Sequence, residues 1–463
     1  MPTSSRNRQR TSTPLPSDPK LIRQRLRRQL RHQDHLHSWD SPGYAQMVIE
    51  ETRQLVESAS VQLHRGEHVQ ALMTLQAITD IYTAQWMFLN DIHGAVSTFF
   101  LELARVWTEA LLMVDMTAKE RIQWAKQVSS WQARLGDGSI GAAFDAPQAA
   151  IREGWESPPL QRILLGTSHQ QSAWEGEPPP YAVVLTQARL TVLEQREQFQ
   201  EYLHLAKAEG QTRAYVTMLV RQGQITEALS YGHQHLATAE DAFALAQVLF
   251  IHGERSPSLQ IAARGLALEG NPVPLAIWLR DHSWSMGEQM QALEAGEVAF
   301  RGEPTLEQYL QIAHIAGTRW PEQRARLLDS ARQAPYTADP QGLLRIFLHE
   351  HLFDDAIAVL KTTTRYTLVA QVVDAALEEQ TALEWVIQAC RQQAEHIMNG
   401  AKASSYQAAA IWLTKARTAY HMLGRDDAWH VYLNDLFERH QHKSKLLPLL
   451  MALRGKEDSD VEK

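Results

Sequence analysis

His32, Asp34, His35 and His37 stand within one short run, and imidazoles with a carboxylate at that spacing are donors that suit a transition metal. The simpler reading is a solvated His-rich segment between an arginine-rich stretch and the helix start at Ser41-Pro42. The pairs His233/His235, His349/His351 and His440/His442 are two residues apart in helix-period sequence, so they face different ways and chelate poorly. Adjacent carboxylates occur at Asp354-Asp355, Glu378-Glu379 and Asp426-Asp427. The first and last pairs sit near predicted helix starts, where the helix dipole accounts for them. Cys390, the one cysteine, ends the apolar run 386–390 and reads as a buried, inert thiol rather than a nucleophile. The H-E-x-x-H, G-x-S-x-G, phosphate-loop and dinucleotide-loop patterns are absent. No enzyme, metal or cofactor is expected.

Two residue sets suit binding instead. Lys20, Arg23, Arg25, Arg27, Arg28 and Arg31 are interleaved with Ile22, Leu26 and Leu30. As a helix this is either an amphipathic first element with solvated arginines, or a cationic surface for phosphates or an acidic partner. Residues 1–31 hold nine basic residues against one acidic residue, a net of +8, which leaves −16 for the rest of a chain whose total is −8. Nucleic acid coating the whole surface is therefore not expected, while the basic arm remains a contact. Most tryptophans are assigned to helix junctions; Trp39, Trp284 and Trp320 fall near predicted turns or the N-terminal junction and are candidate partner anchors.

The elements that must position these residues are helices. Gly223, Gly253, Gly287 and Gly317 recur at intervals of 30 to 34 residues between apolar stretches at helical spacing, where a glycine can end a helix in the left-handed conformation. Gly232, Gly265 and Gly296 recur in the helices that follow and are expected where two backbones approach closely. One helical hairpin per thirty-odd residues is the pattern of a tetratricopeptide-like solenoid. Thr117 and Glu120 spell a capping box, and Thr212, Thr238, Ser256, Asn271 and Thr305 are candidate caps. The class is all-α: a disordered basic tail at 1–19, an N-terminal helical bundle at 20–135, a Pro/Gly-rich joint at 136–180, a helical-repeat solenoid at 181–336, C-terminal helical pairs at 337–453 and a charged tail at 454–463.

Several stretches resemble a bacterial family of SWIM zinc-finger proteins, in the helical region that follows their finger. They are Trp412-Leu413-Thr414-Lys415-Ala416-Arg417, continuing through Tyr420, Leu423-Gly424-Arg425, Trp429, Tyr432-Leu433 and Arg439-His440 to Lys443 and Leu446. Others are Gly154-Trp155 with Pro158-Pro159-Leu160-Gln161, Ala173-Trp174-Glu175-Gly176 and Ala208-Glu209-Gly210-Gln211-Thr212. Phe347-Leu348-His349-Glu350 and Asp354-Asp355-Ala356-Ile357 add to the likeness. The family's finger is a C-x-C pair followed by C-x-H, a set that closes a tetrahedral zinc site. One cysteine cannot supply it, so no zinc ligand carries over. The resemblance implies either a lost finger or a separate polypeptide that supplies it.

No run approaches the length of about 20 apolar residues that a membrane span needs, and a lone cysteine fits a reducing, cytoplasmic compartment. The expected function is a non-enzymatic helical-repeat scaffold for protein–protein interaction, acting with a SWIM-type zinc-finger partner. The alternative is a nucleic-acid-associated accessory factor using the basic arm.

Overall fold

A computed structural model describes residues 18–31, 42–86, 94–136, 139–167, 172–174, 176–335, 337–361, 363, 365–400 and 403–454. Every regular element among them is helical, and the one β-type contact is an isolated parallel bridge between Thr238 and Glu269. The helices gather into two compact units, Met1–Leu236 and Ala237–Lys463.

In the first unit, helix Ala95–Met113 is apolar over most of its surface, with an exposed stripe at Thr98, Leu101 and Arg105, and so wide an apolar face must be covered. Helices Pro42–His64, His68–Gln85, Asp145–Glu153 and Ala182–Gln195 enclose it. Its Phe99, Phe100 and Trp107 join a chain of rings that runs from Tyr82 through Phe144 and Trp131 to Trp124, with neighbouring centroids 4.8–6.4 Å apart. The Trp107 indole donates to Thr79 Oγ1 at 2.8 Å, so this buried ring keeps its polar atom satisfied. The capping box forms as its sequence requires: Thr117 Oγ1 accepts from Glu120 N–H, and Glu120 accepts from the Thr117 N–H.

The 136–180 stretch is no bare joint. It carries helices Ser139–Ala142, Asp145–Glu153 and Pro158–Leu164. Phe144, Ala149, Ala150 and Ile151 belong to the core that also holds Leu185, Ala188 and Val192 of helix Ala182–Gln195. Arg189 of that helix is buried and donates to the Gly154 carbonyl at 3.0 Å. Pro158 does not break the chain but opens a helix, where its missing N–H costs nothing. Helix Ala182–Gln195 thus packs with the N-terminal helices, because their shared apolar faces outweigh the local proline signal, and residues 181–236 fall in the same compact unit.

Helices then come in pairs. Gly223, Gly253 and Gly287 end first helices with φ of 75°, 89° and 83°. At Gly223 the turn is closed by Gly223 N–H donating to Val220 and Gln224 N–H donating to Leu219, at 2.9 and 2.8 Å. That pair of hydrogen bonds is the Schellman arrangement, which satisfies carbonyls the helix leaves open. Gly317 also has positive φ, but a short 3-10 turn follows it before helix Trp320–Arg332. The beat continues past the glycines: His351 and Gln380 take the same turn at φ 58° and 52° with the same two bonds, and Glu197 does so in the first unit.

Of the cap candidates, Thr238 and Thr305 accept from Asp241 and Gln308 N–H, and Asn271 Oδ1 accepts from Val273 N–H. Thr212 and Ser256 lie inside their helices instead, which start one residue after the preceding turn, at caps Gln211 and Glu254. Gly232, Gly265 and Gly296 are buried in helix interiors or last turns. A Cβ on Gly265 would lie 2.5 Å from Ala242 Cβ and 2.7 Å from Leu275 Cδ2.

Two substitutions test this account with opposite signs. Gly265→Ala should lower the melting temperature, at an overpacking cost of about 1–3 kcal/mol; an exposed helical glycine would instead gain about 1 kcal/mol. Gln380→Gly should raise it. A side chain in the left-handed region costs about 1–2 kcal/mol, against roughly 0.5–1 kcal/mol of extra chain entropy for glycine. Thermal unfolding followed by circular dichroism reads both.

Candidate functional site

Helix Pro19–Arg31 begins after Asp18, whose carboxylate accepts the Lys20 N–H at 2.8 Å. Ile22 and Leu26 are buried, at 0% and 1% exposure, and the helix packs on His68–Gln85. Arg23 turns inward to Asp80 at 3.3 Å; Asp80 also accepts from the Trp131 indole at 2.9 Å and from Gln127 at 3.3 Å. The Gln29 amide donates to Glu51. Lys20, Arg27 and Arg28 are exposed, Arg25 is half-buried, and none of the four side chains makes an ion pair among the described residues. Arg31 is the last residue of the helix, and its side chain lies outside the described set. His32, Asp34, His35, His37 and Trp39 also lie outside the described residues.

A second arrangement stands in the other unit. Helices Val273–Ser285 and Leu306–Ala316 are the first members of two successive hairpins, and a groove of about 430 Å³ opens along them. Its lining includes Trp284 and Leu310, exposed at 41% and 43%, with His314, Asp281 and Glu307. The Trp284 and His314 rings meet edge to face, centroids 5.8 Å apart. Beneath them Arg280, 3% exposed, donates through Nε to Asp281 at 2.8 Å, while its Nη1 is buried without a partner. An apolar floor with exposed rings and a few charges at the edge suits a side-chain anchor of another protein. Leu310 and His314 are not among the sequence candidates. They stand thirty residues beyond Arg280 and Trp284, so the glycine period itself locates them.

Trp320 is placed differently. It is half-buried against the core of its unit, edge to face with Tyr309 at 5.0 Å. The Tyr309 hydroxyl donates to Glu350 Oε1 at 2.6 Å, and Arg324 Nε donates to Glu350 Oε2 at 2.5 Å. Burial pushes the Glu350 carboxyl up, but these two donors and the Arg324 charge outweigh it and hold the carboxyl below its ordinary value. Burial and the Glu350 bond drive the Tyr309 phenol upward.

Three of the groups with potential chemistry, Cys390, Asp355 and Glu379, are enclosed or paired. Cys390 is fully buried, and burial pushes its thiol up to about 12, far from the thiolate a nucleophile needs. Asp355 takes a bidentate contact from Arg332 in the first turn of helix Phe353–Leu360. Glu379 receives His351 at 2.8 Å. Among the described residues no group of three or more His, Cys, Asp or Glu is placed to hold a metal ion. No described helix is long and apolar enough to cross a membrane.

Comparison with protein-family models gives no match, and comparison with curated proteins gives none.

The Glu350 network carries a pH signature. A carboxyl depressed in the folded state contributes stability above its unfolded pKa, near 4.3, and that contribution is lost as pH falls through the lower folded value. Glu350→Gln should therefore destabilise the protein more at pH 7 than at pH 3, which urea unfolding at the two pH values measures.

Proposed function

We propose that the protein is a non-enzymatic helical-repeat scaffold whose hairpins stack in tetratricopeptide-like fashion, and that it holds a protein partner in the Trp284 groove. The packing order of the second unit supports the stacking. Helix Ala239–Ile251 touches Val273–Ser285, Leu306–Ala316 touches Pro340–His349, and the latter touches Tyr366–Glu378, which touches Tyr406–Met422. These first helices of successive hairpins thus meet one another, and Val273–Ser285 meets Leu306–Ala316 through the Trp284 and His314 rings, as in proteins that build one continuous surface from repeats. The observation that carries the binding reading is the pair of exposed apolar side chains, Trp284 and Leu310, lining one groove between the first helices of consecutive hairpins.

The resemblance to the helical region of SWIM zinc-finger proteins supports a zinc-finger polypeptide as the partner, acting with this chain in the cytoplasm. A stable contact would bury at least about 1,000 Å² in all, so the groove serves as the anchor of a larger interface. The test is co-purification of the tagged full chain from its native host, with the recovered polypeptides sequenced. A partner bearing the C-x-C and C-x-H pattern should come down with the wild type and be lost, by about tenfold or more, with Trp284→Ala. That variant should melt within about 2 °C of wild type, because an exposed side chain contributes little to stability. Undiminished recovery with Trp284→Ala, or no zinc-finger polypeptide at all, would sink the reading.

A further inference from the structure

We propose that the outer face of helix Pro19–Arg31 binds the phosphate backbone of duplex nucleic acid, independently of base sequence. At 100° per residue, Lys20, Gln24, Arg27 and Arg28 fall on one arc of about 100°. Ile22 and Leu26 fall on the opposite side and are buried against the bundle. The helix therefore shows solvent a stripe of cations with no acidic residue in it.

The ion pairing of the helix separates its arginines by role. Arg23, on the flank, is neutralised by Asp80 and orients the helix. Lys20, Arg27 and Arg28 are exposed and make no ion pair among the described residues, although the chain beyond residue 31 carries a net charge of −16. Acidic residues are thus plentiful, yet among the described residues none is drawn to these three cations.

Burial also decides among polyanions. A basic amphipathic helix that lies in a membrane surface must put its apolar face into the lipid. Here that face is already spent on the core, and withdrawing Ile22 and Leu26 would cost about 1.5–3 kcal/mol each. Only the charges are on offer. The stripe from residue 20 to residue 28 spans about 12 Å, and a duplex presents about one negative charge per 1.7 Å of its axis. Charges without base-reading partners position a protein on DNA but read no sequence.

The experiment uses the full chain and a fluorescein-labelled duplex DNA of mixed sequence, followed by anisotropy from 50 to 200 mM salt. Three phosphate contacts predict a slope of log K against log salt of about −3. Arg27→Gln/Arg28→Gln should reduce the slope by about 2 and weaken binding at 50 mM at least tenfold, with its circular dichroism unchanged. Trp284→Ala should bind DNA like wild type, so the groove can fail while this surface stands. The proposal is overturned by no DNA binding at 50 mM salt, or by a slope that Arg27→Gln/Arg28→Gln leaves intact. It is equally overturned if removal of residues 1–17 abolishes the slope while the helix is untouched. Tighter binding to vesicles of anionic phospholipid than to DNA would assign the stripe to a membrane and also overturn it.

Discussion

The turn that closes each helix pair is the constraint from which most of this architecture follows. A helix ends with carbonyls that have no partner in the chain behind them. Reversing direction within two or three residues requires one residue at positive φ, whose N–H and the next each reach back to those carbonyls. Gly223, Gly253, Gly287 and Gly424 meet that demand without strain, and Glu197, His351 and Gln380 meet it with a side chain attached. Once the turn is fixed, helix length sets the period, and the period places side chains of successive hairpins in register. Trp284 and His314 touch because each occupies the same place in consecutive first helices.

The arginines show how position decides role. Arg189 and Arg280 are almost wholly buried, which is tolerable because each keeps a polar partner, the Gly154 carbonyl or Asp281. Arg23 is half-exposed and paired with Asp80, an interaction worth about 0–1 kcal/mol at a surface. Burying Ile22 and Leu26 is worth several times more. Apolar contact therefore holds the first helix on the bundle, and the arginines only orient it. This ordering leaves the exposed cations free to meet a charged ligand without disturbing the fold.

The two candidate surfaces differ in kind. The Trp284 groove offers shape and apolar area with Arg280 below it, which suits one side chain of a folded or extended partner. The Pro19–Arg31 helix offers charge without a pocket, which suits a repeating polyanion. Each lies within its own compact unit, and the substitutions that disable one leave the other's core untouched.

Local chemistry alone determined the helical class, the capping box at Thr117, the glycine-terminated helices at 223, 253, 287 and 317, and the close approach at Gly265. Each rests on a preference of about 1 kcal/mol or more that a residue carries wherever it stands. The apolar register of Ile22 and Leu26 was legible for the same reason. Only the tertiary structure decided the rest. It drew the 136–180 stretch into a core, because Phe144 and Ile151 had apolar faces to meet. It forced His351 and Gln380 into a conformation their types disfavour, since the helices on either side are fixed by burial. It left Trp284 at the surface and packed Trp320 against Tyr309, although both tryptophans stand near turns in the sequence. Which side of a helix is covered depends on neighbours distant in the chain, and that information is not local.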